Sequence, residues 1–507
     1  MAIIDSPAEA TSLPPGGPTK LKNTDLAPVP KDKRTWGAWS YTALWLGMVH
    51  NIFGFAVIGS LMGTGLTAVQ ALVSVFIACL MQVALLIVTG RIGSRFGIPF
   101  PVWARSAFGV WGCNIPAILR GITAIFWFGI QNYLGASVLN ALFSQVFGFW
   151  RDMNGELWGL GLNMWLSILI FWAINFVVVN HGMETVRRFE VWAGPLVLVV
   201  MAVLVGWAID AGNGLGPVFN TDNATHDTVP AFVAYGLIPA VATFMNSGFI
   251  TMILNYPDVA RFAKSNKSQT IGTLIGLPLG TVIYYGMSAI VVSGTQAKYG
   301  EALWDPGAVL TAINIPWVTI IGAILLTVAT ISVNIPANLV SPAYDLVNLF
   351  PKVFTFKTAA VTAIVGAFLY CPWYWMRDEA SFYDLLANLG TFLGPATGVM
   401  VADYVVRRGR LDVADLYAEN GRYRYLNGFN PVAIGVLVVT TAGVLAMKLI
   451  PSLADAYLYS WFISVAVAFA AYVAIGTWVT RKTDGVLRRG MEPSGTKGEE
   501  LAEGAIW

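Results

Sequence analysis

Twelve stretches of the chain run apolar for the length a membrane crossing needs, about 20 residues. They lie at roughly 40–65, 68–91, 113–143, 159–180, 190–212, 230–255, 270–294, 315–340, 358–376, 381–405, 431–450 and 456–480. None alternates apolar and polar residues with a period of two, as a barrel strand must. The pattern therefore predicts twelve transmembrane helices, spans one to twelve. Between them lie short polar connections. Before and after them, residues 1–38 and 481–507 read as polar tails, the first disordered and too polar for a secretory leader.

Charge sets the expected orientation. If both termini are cytoplasmic, 26 of the 30 Lys and Arg fall on the cytoplasmic side, as the positive-inside bias requires. The outer connections keep only Arg151, Lys298, Arg377 and Lys448. The loop 406–430 is then cytoplasmic, and the chain sits in the plasma or inner membrane. Charged residues make up 11% of the chain against about 25% in soluble domains, which excludes a soluble enzyme. The net charge of +2 gives no reason to expect nucleic acid. Cys79, Cys113 and Cys371 have neither disulfide-type nor metal-type spacing. No Gly-rich phosphate loop is present, so no ATP-driven motor is expected.

Polar residues interrupt certain spans. Span one carries "GMVHNIFGF" (Gly47 to Phe55), with His50 and Asn51 between glycines, and span six carries "FMNSGFITM" (Phe244 to Met252). Spans one and six are five apart, the offset at which inverted-repeat transporters place matching broken helices around a binding site. Taken singly, such small and polar residues also serve close helix packing. In span eight, "SVNIPANLVSPAYDL" places Asn334 and Asn338 four apart around Pro336. These amides either cap carbonyls freed by the proline or face a ligand. Span three carries Trp127 and Gln131, also four apart and so on one helical face. An indole offers a flat face, and a carboxamide offers a donor and an acceptor. Together with Asn51 and Asn338 they suit a small planar heterocycle. The lack of charged side chains at mid-span argues that it is neutral.

The segments "WFGIQNYLGA", "NYPDVARF", "NIPANLVSPAYDL", "FPKVFTFK" and "GPATGVMVADYVVRRGRLDVADLY" occur in this order between Trp127 and Tyr417. In them the chain resembles the nucleobase–cation symporters, permeases for hydantoins, allantoin, uracil, cytosine and related compounds. The resemblance implies an all-α, leucine-transporter-like fold of two inverted five-helix repeats over residues 39–405, with two extra helices over 431–480. It places the stacking indole on Trp127, its opposite aromatic on Phe249 after Gly248, and the edge-reading amides on Gln131, Asn338 and Asn51. Phe249 stands where hydantoin permeases have Trp, and Asn51 where they have Gln.

The resemblance also implies a cation site. Carbonyls of Gly47, His50 and Ala329 and the hydroxyl of Ser332 would hold Na+, with no other cofactor. At the next position sodium-coupled relatives have Thr and this chain has Val333, which offers no side-chain oxygen to a hard cation. His50 could instead titrate near neutral pH, or serve only through its carbonyl, its imidazole bonded to the unwound backbone. The expected function is import of a neutral heterocycle by a monomeric symporter driven by Na+ or H+. A sensor without transport is the rival. An intramembrane enzyme lacks a nucleophile–base pair around His50.

Overall fold

The computed structural model describes residues 21–50, 52–180, 198–219, 228–247, 250–303, 306–313, 315–376 and 379–482. Among them nine helices are long and apolar enough to cross a membrane, and Ala38–Val49 with Gly54–Gly63 forms one further span bent by 52°. Leu198–Ala211 and Phe356–Leu369 are shorter apolar helices at the expected positions of spans five and nine. All twelve spans are thus present.

Span two, Ala68–Phe96, begins at a capping box in which Thr67 and Gln70 bond each other's backbone, and this satisfies orphan donors at the helix start. It ends at Gly97 with φ +74°, a left-handed residue that glycine adopts without strain. Span seven, Asn266–Tyr299, is capped by Ser265. It crosses span one so closely that a Cβ at Gly276 would meet Thr42 Cα at 2.8 Å. Small residues let the two backbones approach, the usual device for joining helices in lipid. Both helices run beyond the predicted apolar stretches, because capped polar turns extend them past the hydrocarbon.

The interruption expected in span one is present. Span one stops at His50, whose backbone (φ −77°, ψ 67°) is not helical, and resumes at Ile52. Span six is described as two helical segments, Ile238–Ser247 and Ile250–Ala260, and its expected interruption at Gly248 and Phe249 lies outside the described residues. Span eight, Pro316–Asn338, turns at Leu339 and continues as Val340–Leu349. Pro336 therefore sits within one turn of that irregularity.

Three expectations are corrected. Residues 21–37 are not a disordered tail but a strap across one end of the bundle. Its Leu21 and Leu26 are buried. Val29 N donates to Gly97 O at 2.9 Å, and Trp36 pairs with Ala263 in a parallel bridge. Polar composition hid this because the strap is held mainly by its backbone. The region between spans two and three is likewise no open loop. It contains a helix, Phe100–Phe108, with all nine residues buried. Its Arg105, counted above as a loop charge, is an interior staple that donates to Leu416 O at 3.0 Å and to Asn348 Oδ1 at 2.7 Å. Span nine, finally, ends at Leu369 rather than near 376. Cys371 takes a left-handed conformation (φ 58°) there, and Pro372 starts a separate turn.

Candidate functional site

Span three, Asn114–Val146, is the most enclosed of the long helices. Trp127 and Gln131 lie on it one turn apart, 5% and 7% exposed. Gln131 Oε1 is buried and accepts no hydrogen bond. Had Gln131 served only to bond a neighbouring helix, this oxygen would be occupied. Asn51, Gly248 and Phe249 lie outside the described residues, so the opposite aromatic and the span-one amide are not placed.

Asn338 is linked to span three from span eight. Its Nδ2 donates to Asn334 Oδ1 at 2.9 Å, and Asn334 Nδ2 donates to the Phe128 carbonyl of span three at 3.1 Å. The span-eight amides are therefore not caps for carbonyls freed by Pro336. They bridge to another helix, one residue from Trp127 in sequence. Two further amides, which periodicity did not single out as site residues, join them. Asn132 Nδ2 donates to the same Phe128 carbonyl at 2.6 Å, and Asn175 Nδ2 donates to Asn132 Oδ1 at 2.9 Å. All of these except Asn338 are fully enclosed. Spacing along one helix reveals i,i+4 pairs, but cross-helix partners become visible only in the fold.

The cation candidates divide between spans one and eight, whose segments are in contact. The first half of span one ends at His50, and Gly47 lies in its last turn. On span eight Ala329 and Val333 are both buried, and Val333 adds no oxygen beside Ser332. The imidazole of His50 is buried, packs edge-on against Tyr284 at 5.3 Å, and has no hydrogen bond at either nitrogen. The expectation that it bonds the unwound backbone is not met. Among the described residues no cluster of three His, Cys, Asp or Glu could hold a metal.

Charges are buried near one end of the bundle instead. Asp258 Oδ1 accepts from Phe100 N at 2.6 Å, at the start of the short buried helix. Arg120 Nε donates to Thr251 O at 3.1 Å in the second half of span six. Asp403 and Arg407, at the end of span ten (Glu379–Val406), pair at 2.8 Å with both side chains fully enclosed. A recess of about 760 Å³ opens elsewhere, lined by Thr67, Ser293, Gln296 and Glu301 among others. Trp127, Gln131 and Asn338 do not line it.

Comparison with known proteins gives a consistent picture. A family of permeases for cytosine/purines, uracil, thiamine and allantoin matches residues 28–464. The allantoin permease of Bacillus subtilis (strain 168) is 40% identical over 461 residues, covering 90% of this chain and 93% of that one. The hydantoin permease of Microbacterium maritypicum is 32% identical, over 83% of this chain and 84% of its own length. Among solved structures, the nucleobase-cation-symport-1 family transporter Mhp1, closed with bromovinylhydantoin bound, superposes with a TM-score of 0.74. It is 28% identical and covers 93% of this chain and 99% of its own.

Proposed function

The chain belongs to the family of permeases for cytosine/purines, uracil, thiamine and allantoin, and from that premise we propose how it works. It is a secondary active symporter with the leucine-transporter-like five-plus-five fold, and not an enzyme. Its cargo is a small neutral nitrogen heterocycle of the allantoin, hydantoin or nucleobase kind, carried into the cell against its gradient. The ring stacks on Trp127, with Phe249 after Gly248 opposite, and Gln131, Asn338 and Asn51 read its edges. The observation that carries this reading is Gln131 Oε1, buried beside an indole with nothing to accept from. An orphaned buried acceptor costs about 1–3 kcal/mol, a cost that a ligand donor would offset.

The cation enters at the break in span one. Carbonyls of Gly47, His50 and Ala329 and the hydroxyl of Ser332 would hold Na+, one oxygen short because of Val333. The protein works as a monomer with both termini in the cytoplasm of a plasma or inner membrane. That orientation puts the strap 21–37 and the buried charges Asp258, Arg120 and Asp403 on the cytoplasmic side.

Proteoliposomes separate transport from sensing. Radiolabelled allantoin, hydantoin or uracil should accumulate inside when an ion gradient is imposed, whereas a sensor binds without accumulation. Uptake should respond to a proton gradient more than to Na+. The substitution Val333→Thr should raise Na+ dependence, because Thr matches Val in shape and adds one oxygen. Strong Na+ stimulation of the unsubstituted protein, with no effect of external pH, would overturn the inference drawn from Val333.

A further inference from the structure

The chain of amides behind Trp127 fixes more than position. A main-chain carbonyl only accepts hydrogen bonds, while a carboxamide has one donating end and one accepting end. Phe128 O receives both Asn132 and Asn334, so each of these must turn its nitrogen toward it and its oxygen away. The oxygen of Asn132 meets Asn175 Nδ2, which is itself anchored by donating to Phe171 O at 2.9 Å. The oxygen of Asn334 meets Asn338. Asn338 must therefore turn its nitrogen inward, and its oxygen becomes the free end. An isolated amide can be rotated by 180° without obvious penalty. Here two main-chain carbonyls, Phe128 and Phe171, remove that freedom.

Asn338 is the last link and the only one of the four amides with any exposure, 5%. Among the described residues nothing donates to its Oδ1. Gln131 Oε1 on span three is likewise a buried acceptor to which nothing donates.

We propose that Asn334 is a positioning residue that locks Asn338 as a hydrogen-bond acceptor. On that basis the site selects rings with two separate N–H donors, the cyclic ureides, over isosteric rings that lack one. This rests on the ring-binding reading above and narrows it. The ligand need not touch Asn334 for the selection to depend on it.

Thermal-shift and equilibrium binding measurements on the purified full-length protein test this. The probes are hydantoin, oxazolidine-2,4-dione, in which a ring oxygen replaces one N–H, and 3-methylhydantoin, in which the other N–H is blocked. An unpaired buried acceptor should weaken each analogue by about fivefold or more relative to hydantoin. In Asn334→Ala, and in the milder Asn334→Ser, Asn338 can rotate. Affinity for hydantoin should fall, and discrimination against one of the two analogues should shrink toward parity. A purely structural role would lower all three affinities together. Equal binding of all three probes by the unsubstituted protein overturns the proposal without any variant, as does a folded Asn334→Ala protein that keeps full discrimination. If hydantoin, allantoin and uracil all fail to bind the unsubstituted protein, the ring-binding reading falls first and this inference falls with it.

Discussion

Replacing Gln131 by Leu should abolish heterocycle uptake while leaving the ligand-free protein as stable as before, or slightly more so. The two effects have one cause. Gln131 Oε1 is buried without a donor in the ligand-free state, so folding already bears its desolvation cost. Leu is close in shape and removes that cost. Binding, by contrast, loses the group that accepts from the ring, and the ring's N–H then becomes the unpaired one. The loss should be about 1–3 kcal/mol, or roughly 5- to 150-fold in affinity. Heating purified protein with and without allantoin, hydantoin and uracil measures both quantities, since a ligand bound to the folded state alone raises its apparent stability. A structural amide behaves oppositely: its removal destabilises the protein and leaves uptake by the folded fraction intact. Normal uptake by Gln131→Leu would assign the residue to helix packing.

The sequence made the spans legible because a bilayer imposes its thickness on every crossing, and twelve apolar runs answer to that one length. It also showed the break in span one, since His50 between glycines is out of place in hydrocarbon. What it hid has a common physical origin. Phe100–Phe108 is buried by protein rather than lipid, so it needs neither span length nor uniform apolarity, and Arg105 can sit inside it with both terminal nitrogens bonded. The strap 21–37 is fixed through backbone groups that composition does not encode. One example is Leu26 O, which accepts from Tyr417 OH at 2.6 Å across the chain.

The site divides in the same way. Trp127 with Gln131, and Asn334 with Asn338, are pairs within single helices, visible as four-residue spacings. The junction of those pairs at the Phe128 carbonyl, and its extension through Asn132 to Asn175, depends on which helices meet. Spacing therefore suggested which side chains could read a ring. Only the packed bundle showed which end of Asn338 is held by Asn334.

Removing the carboxylate of Asp403 should be the most destabilising single change considered for this chain. The pair it makes with Arg407 lies at a crossroads. Asp403 Oδ2 also accepts from Ser106 Oγ at 2.9 Å, and its Oδ1 accepts from Tyr472 OH at 3.0 Å. Arg407 Nη2 donates to Ser106 O and to Tyr425 OH, and the guanidinium lies over the ring of Tyr423 at 5.1 Å. Span ten is thereby tied to the short buried helix, to the 406–430 loop and to span twelve (Ser460–Lys482). Asp403→Ala leaves a fully enclosed guanidinium without its counter-charge, which costs about 3–5 kcal/mol. Replacing both partners by apolar residues of similar size, Asp403→Leu with Arg407→Met, removes the buried charge together with its need for a partner. Such double replacements are often neutral, so the double variant should be markedly more stable than Asp403→Ala. Thermal unfolding of the three proteins in detergent, read as loss of monodisperse protein, ranks them. The double variant should also bind heterocycle at Trp127 and Gln131 as the unsubstituted protein does, because none of the pair's bonds reaches that site. If Asp403→Ala unfolds within about 1 kcal/mol of the unsubstituted protein, water reaches Arg407 and the network is not the anchor described.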